Sequence, residues 1–386
     1  METSKKWLLA AIYALAFGFG LTCTMIAPLV SLVLEDFSIT TAQGGLVMTF
    51  MNVGALLSVV LMLFFGDRVP RVAVYGVSYL LFSGALLCIV GAPSYAVLLV
   101  LMLVAGLGSK TVDILANPIL SDAFPVGGEK YINLLHMSLS AGGCLAPVLL
   151  QAMLNAGLTW RTAFAGIGAF CGLLLLCSAP ALLRSAGTLQ PVRAAEKSAA
   201  PLHVTSIMLL LGLCTLFNQC HQTLVNTWGT VYAQRSLAVS DSLAALAPSV
   251  LWAGIMLARF TASRVANAKN TVTLILWGSV IGGAALSAAA LLNLPMPAYL
   301  GLFAAGLFGG AVIPLAIARL CVLYPAVSGR VTSIIFLTLV SPSLILPSLT
   351  GSMADAVGFR WVMVLSGAFL LISAVFAGLT RKNAEA

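Results

Sequence analysis

Arg184-Ser185-Ala186-Gly187-Thr188-Leu189-Gln190-Pro191-Val192-Arg193-Ala194-Ala195-Glu196-Lys197-Ser198-Ala199-Ala200-Pro201 is a small, polar and basic stretch near the middle of a 386-residue chain. Almost everything on either side of it is apolar. The sequence is 61% hydrophobic and 8% charged, against roughly 45–50% apolar and about 25% charged for soluble domains. Such a chain belongs in a bilayer, and the polar stretch reads as a solvated linker between two apolar halves. Disorder is excluded, because it needs low hydrophobicity and high charge.

Working outward from the linker, apolar runs long enough to cross a bilayer, about 20 residues each, recur six times on each side. They occupy roughly 7–34, 43–66, 71–91, 94–121, 129–155 and 161–183, then 203–232, 242–262, 270–292, 297–323, 329–354 and 357–380. The expectation is an all-α membrane protein of twelve transmembrane helices in two six-helix bundles, 1–183 and 203–386, joined by a cytoplasmic linker over 184–202. The first run follows Lys5 and Lys6 but far exceeds the ~7–15 residue core of a signal peptide, so it reads as a retained span. The eight cysteines all fall within spans and form no CxxC, which suits small packing residues rather than a zinc site or a disulfide framework.

The net charge of +8 is explained by orientation. With the amino terminus inside, fifteen of the 19 Lys and Arg residues fall on the cytoplasmic side. Arg161, Arg235 and Arg360 fall on the other, and Lys110 on neither. That bias places both termini and the linker in the cytoplasm, in a multi-pass protein of the cytoplasmic membrane. The charges are too few and too scattered for a phosphate-tracking surface, so no nucleic-acid partner is expected.

The halves repeat at an offset near two hundred. Ala105-Gly106-Leu107 recurs as Ala305-Gly306-Leu307, Pro125 as Pro325, Pro147 as Pro347 and Gly54 as Gly254. Gly157 and Arg161 answer to Gly358 and Arg360. Between the second and third spans stands Gly66-Asp67-Arg68-Val69-Pro70-Arg71, which resembles the glycine–acid–arginine loop of the major facilitator superfamily, with Pro70 where that family usually has glycine. Asp67, Arg68 and Arg71 are by that resemblance gating or structural residues. In the fourth span, Gly106-Leu107-Gly108-Ser109-Lys110-Thr111-Val112-Asp113-Ile114-Leu115-Ala116-Asn117-Pro118 resembles the fucose and glucose–galactose proton symporter branch. There an acid four residues before Asn-Pro takes part in sugar binding, a role that would fall to Asp113. Trp228 and Tyr232, and the run from Ser249-Val250-Leu251-Trp252-Ala253-Gly254 to Arg259-Phe260, are similar to that branch's seventh and eighth helices. The resemblance implies parallel six-span repeats, a substrate near the midplane and alternating access. The first span departs from the branch: Leu21-Thr22-Cys23-Thr24 stands where the symporters carry an acid and an asparagine.

Features present in both halves are expected to be architectural, and those in one half only are candidates for the substrate site. At the repeat offset Lys110 faces Gly310 and Asp113 faces Ile313. Lys110, Asp113 and Asn117 share a helix face by their i, i+3, i+7 spacing. At about 1.5 Å per residue from Ser94, Lys110 lies some 24 Å in, slightly past the midplane. A charge there costs at least ~2.5–3.5 kcal/mol and calls for a cavity and a partner. Two readings stand: an ion pair that only locks packing, or a pair that opens for substrate. In the second, Lys110 holds an anionic or hydroxyl group and Asp113 accepts hydrogen bonds or a proton.

The seventh span carries Asn218, Gln219, His221, Gln222, Asn226 and Trp228 near mid-bilayer, where unpaired polar groups cannot face lipid. They read either as interhelical glue or as amides and an aromatic platform for a hydroxylated or carboxylated molecule. His136, early in the fifth span, could relay protons or simply pack. Arg259 lies near a cytoplasmic span end, where snorkelling or a gate ion pair is expected over substrate contact.

No P-loop, HExxH or nucleotide fingerprint occurs, so neither an enzyme nor an ATP-driven pump is expected, and no cofactor or metal is implied. The leading expectation is a monomeric secondary active transporter, a proton-coupled symporter of a small polar metabolite, a sugar or a sugar-acid-like organic anion. An efflux antiporter of the same fold is the alternative. Such pumps commonly place proline before a glycine pair in the fifth helix, whereas here Gly142-Gly143 precede Pro147. A non-transporting sensor is the third class.

Overall fold

A computed structural model of the chain describes residues 3–39, 41–188, 204–267 and 269–385. Residues 189–203, most of the linker, lie outside the described residues. The rest is helical: α1 (Thr3–Cys23), α2 (Ile26–Phe37), α3 (Thr41–Phe65), α4 (Arg71–Cys88), α5 (Tyr95–Ala123), α6 (Gly128–Asn155), α7 (Trp160–Thr188), α8 (Ser206–Arg235), α9 (Asp241–Ala244), α10 (Ala247–Val265), α11 (Thr271–Leu292), α12 (Pro295–Gly309), α13 (Val312–Leu323), α14 (Ser328–Val357) and α15 (Phe359–Glu385). They make twelve crossings in two six-helix bundles. Leu80, Leu176 and Val375, each 60% exposed or more, belong to the belt of outward side chains that lipid covers.

Two crossings expected as single runs are broken, each four residues before a proline. A proline lacks the N–H that would bond the carbonyl four residues earlier, and its ring crowds that carbonyl. Pro28 removes the partner of the Thr24 carbonyl, and the first crossing turns at Thr24–Met25 between α1 and α2. Pro314 does the same for Gly310, and the tenth crossing turns at Gly310–Ala311 between α12 and α13.

Among the described residues, ten crossings are long and apolar enough to be read as spans from composition, and the seventh and eighth, α8 and α10, are not among them. Their amides and Arg259 lower the hydropathy, and the bonds described below show where those groups go instead of lipid.

By packing, the chain forms two compact units whose boundary differs from the covalent one. The first comprises Met1–Pro125, Ala141–Pro201 and Tyr324–Ser333; the second comprises Val126–Ser140, Leu202–Leu323 and Ile334–Ala386. The start of α6 therefore packs within the second unit, and the start of α14 within the first.

The repeat is visible in the contacts inside each unit. In the first, a Cβ at Gly54 would meet the Leu103 carbonyl oxygen at 2.0 Å, and one at Gly106 would meet that of Met51 at 2.0 Å. In the second, Gly254 and Gly306 stand in the same relation to Phe303 and Leu251, at 2.4 and 2.2 Å. The glycines let α3 and α5, and likewise α10 and α12, touch backbone to backbone. Arg161 Nη1 donates to the carbonyl of Ala92 at 2.8 Å, and Arg360 Nη2 donates to that of Leu291. In both units a cation thus closes the carboxyl end of an earlier crossing, where carbonyls lack intrahelical partners.

Candidate functional site

In the first unit α5 packs against α3, α4 and α1. Its central residues are mostly buried, but Leu103, Leu107, Lys110 and Asp113 form a partly accessible stripe that follows one helix face. Within it Lys110 Nζ donates to Asp113 Oδ2 at 3.0 Å, with side-chain exposures of 19% and 11%. Asn117, fully buried, donates from Nδ2 to the Asp113 carbonyl at 2.7 Å. The three residues expected on one face are brought together, around Asp113. Tyr75 of α4 adds a group that sequence reasoning missed. It is fully buried, its hydroxyl has no hydrogen-bond partner, and Asp113 acts on it electrostatically. No sequence signal marks a tyrosine in a neighbouring helix as belonging to this site.

The glycine–acid–arginine loop forms a second cluster in the first unit. Buried Asp67 accepts from Arg71 Nη2 at 3.0 Å, from Arg330 Nε at 2.7 Å and from the Gly329 amide at 2.8 Å. Arg71 donates further to Asp122 Oδ2 at 2.6 Å and to Ser328 Oγ at 3.3 Å. The carboxylate thus ties the loop after α3 to the first turn of α14, while Arg68 is exposed. Asp122 and Arg330 were not singled out from sequence as members of this cluster.

In the second unit the polar residues of α8 divide by their partners. Asn218 Nδ2 donates to the Gly309 carbonyl at 2.9 Å, and Gln222 Nε2 donates to Asn218 Oδ1 at 2.8 Å. Both residues are buried, and Asn218, held by Gln222, caps the end of α12 at its break. His221, also buried, shares a 2.8 Å bond with Ser366 Oγ of α15. Asn218 and His221 thus bond to neighbouring helices, and Gln222 bonds to Asn218 within α8. Gln219, Asn226 and Trp228 keep partial or full exposure. Gln219 Nε2 donates to Thr223 Oγ1 at 3.4 Å, Asn226 Oδ1 accepts from Trp252 Nε1 at 2.9 Å, and Trp228 Nε1 donates to Thr350 Oγ1 at 2.9 Å.

Arg259 does not snorkel. It is 3% exposed, and its Nε donates at 3.1 Å to the Gly310 carbonyl that Pro314 leaves without a backbone partner. Its Nη1 donates to the His136 carbonyl at 2.9 Å and to Ser140 Oγ. His136, 4% exposed, packs in the second unit, whereas Asp113 is in the first. The signal for the inward turn of Arg259 was in the sequence: a proline four residues after Gly310 frees a carbonyl that needs a strong donor.

The comparisons with known proteins agree with this architecture. The chain is 24% identical over 382 residues to the inner membrane transport protein YdiN of Escherichia coli strain K12, covering 95% of this chain and 87% of that one. Its fold matches FucP, the fucose:proton symporter of Escherichia coli, in the outward conformation. The TM-score is 0.73 at 15% identity, over 98% of this chain and 99% of FucP. It also matches the human organic anion transporter MFSD10, with a TM-score of 0.75 at 16% identity, over 97% and 100% of the two chains. The model of the Major Facilitator Superfamily matches residues 12–339. Twelve crossings in two repeated bundles, the Asp67 loop and this match together make the chain a member of the Major Facilitator Superfamily, a multi-pass membrane transporter.

Proposed function

We propose that this protein is a proton-coupled secondary transporter of a small polar metabolite, a sugar or a sugar-acid-like organic anion, working by alternating access. The observation that carries the reading is the Lys110–Asp113 pair, deep in the fourth crossing, partly accessible and without a counterpart in the second half. Its cost in a bilayer is offset only where it has work or a partner, and an accessible charged pair suits a hydroxylated or carboxylated ligand. The names of FucP and MFSD10, a sugar symporter and an organic anion transporter, lend support from both sides of that choice. Asn117 steadies the pair. Gln219, Asn226 and Trp228 are the exposed polar candidates of α8, with Asn218, His221 and Gln222 behind them. Asp67, Arg71 and Arg330 act as a gate cluster at the cytoplasmic ends, with both termini inside the cytoplasmic membrane, and Arg259 with His136 secures the broken tenth crossing. The transporter works as a monomer divided at 184–202. Counterflow into liposomes carrying the purified protein, run against sugars, organic acids and cationic dyes, tests the reading. Exchange of sugars or acids is expected, exchange of the dyes alone points to an efflux antiporter, and flux of none of them refutes transport.

A further inference from the structure

We propose that the end of the second unit away from the linker carries an oxyanion site. In it Arg360 and Tyr232, with Arg235 at the rim, hold the carboxylate of a hydroxy acid or the phosphate of a glycerol headgroup. Both ligands offer one chemistry, a single negative charge shared by two oxygens with a hydroxyl alongside. The site is separate from Lys110 and Asp113, which belong to the first unit.

The first unit shows the corresponding place filled by the chain itself. There Asp36, at the end of α2, accepts from Arg161 Nε at 2.8 Å and from Trp160 Nε1 at 3.1 Å. Two left-handed residues, Ser38 after α2 and Ala238 after α8, fix the correspondence between the units. Leu32, Glu35 and Asp36 thereby answer to Tyr232, Arg235 and Ser236. Trp160 and Arg161, which open α7, answer to Phe359 and Arg360, which open α15. At the i, i+3 and i+4 positions of one helix face, a leucine and two acids are thus replaced by a tyrosine, an arginine and a serine. The second unit keeps the arginine of the pair and lacks its carboxylate.

The bonds follow that exchange. Arg360 Nη2 donates to the Leu291 carbonyl, as Arg161 does to that of Ala92, but the Arg360 Nε is buried without a hydrogen-bond partner. Tyr232 is 1% exposed, its hydroxyl has no partner, and Arg360 acts on it electrostatically. Among the described residues no carboxylate pairs with Arg235 or Arg360. Arg235 is exposed and lies over the Phe359 ring at 5.6 Å. Asn293 Nδ2 donates to the Ser236 carbonyl at 3.1 Å and leaves its Oδ1 without a partner. Two buried donors and one acceptor therefore stand open where the first unit places a carboxylate, and unmade bonds of this kind are costly. An oxyanion takes Arg360 Nε and the Tyr232 hydroxyl, and a hydroxyl on the same ligand donates to Asn293 Oδ1. The nearby Leu291 carbonyl does not forbid an anion, because Arg161 bridges Asp36 and the Ala92 carbonyl in the same manner.

The test uses the full chain and two probes. Lactate is titrated in detergent solution against sodium chloride of the same ionic strength, and phosphatidylglycerol is added to nanodiscs otherwise made of phosphatidylcholine. Thermal unfolding reads the stabilisation, and its saturation gives an apparent Kd. A raised midpoint is expected with at least one probe: lactate alone marks a soluble ligand, and phosphatidylglycerol alone marks a lipid. Tyr232→Phe removes a hydroxyl that bonds nothing within the protein, so it should keep the unliganded midpoint and weaken the anion about tenfold. Arg360→Gln should weaken it about tenfold to a hundredfold. If Arg360→Gln fails to fold for want of the Leu291 bond, Ser236→Asp decides instead. It rebuilds the arrangement of the first unit, so it should raise the unliganded midpoint and abolish the response to both probes. No response to either probe overturns the inference. So does a response that Tyr232→Phe or Ser236→Asp leaves unchanged, as one carried by Lys110 would be.

Discussion

Asp67→Asn replaces one oxygen of a carboxylate that serves three donors, and its effect can be worked from the contacts. The carboxylate is buried between Arg71 at 3.0 Å and Arg330 at 2.7 Å, and it accepts the Gly329 amide at 2.8 Å. The asparagine keeps the shape but removes the charge, and its amide group meets Arg330 donor to donor when the remaining oxygen serves Gly329. Breaking a buried ion pair from one side costs about 3–5 kcal/mol. The low end applies here, because Arg330 keeps 17% of its side chain exposed and Arg71 keeps Asp122 as a partner. About 3 kcal/mol corresponds to roughly a hundredfold shift in the local opening equilibrium. Amide hydrogen exchange reads that equilibrium directly, since the Gly329 N–H bonds to Asp67 itself. In protein held in lipid nanodiscs, peptides covering 324–333 should exchange about a hundredfold faster in the variant. Peptides from the centre of α5 should not change. An unchanged rate at 324–333 would refute the view that Asp67 holds the start of α14. Uniform acceleration over the whole chain would show a general loss of stability instead of a local latch.

Three further outcomes are expected. Gly54→Ala and Gly254→Ala should each destabilise the protein by about 1–3 kcal/mol, because the new Cβ meets backbone and whole helices must part; thermal unfolding in detergent checks this, and a normal midpoint in either variant contradicts the backbone contact. Arg259→Lys keeps the charge but cannot serve the carbonyls of Gly310 and His136 together with the Ser140 hydroxyl, so a loss of about 2–3 kcal/mol is expected by the same measurement. His221→Ala should cost about 1–2 kcal/mol through the lost Ser366 bond while leaving substrate KM within a few-fold. A KM raised more than about tenfold would place that imidazole against the substrate after all.

Much of the architecture was legible before any coordinates. The class, the number of crossings and the repeat rest on composition and on residues a fixed distance apart in the chain. The face shared by Lys110, Asp113 and Asn117 rests on helical periodicity, and all three meet at Asp113 as that spacing requires. The breaks at Thr24 and Gly310 were also written locally, in Pro28 and Pro314, yet apolar length concealed them because both sides of each break are equally hydrophobic. The division of α8 was not legible in this way. Asn218, His221 and Gln222 alternate with Gln219 and Asn226 along one polar run, and nothing local says which of them meet another helix.

The sequence by itself determined a twelve-span transporter of two repeated halves, with one charged pair deep in the fourth span. The reason is that hydropathy, helical period and repeat offset are properties of neighbouring residues or of a regular interval. Tertiary structure decided what those residues bond. Asp67 finds Gly329 and Arg330 more than two hundred and fifty residues away, His221 finds Ser366, and Arg259 finds a carbonyl that a proline left open. Such partners are set by which helices lie side by side, and in a chain where most residues are apolar many pairings would bury the same surface. The few polar groups select among them, because each one buried must find its partner.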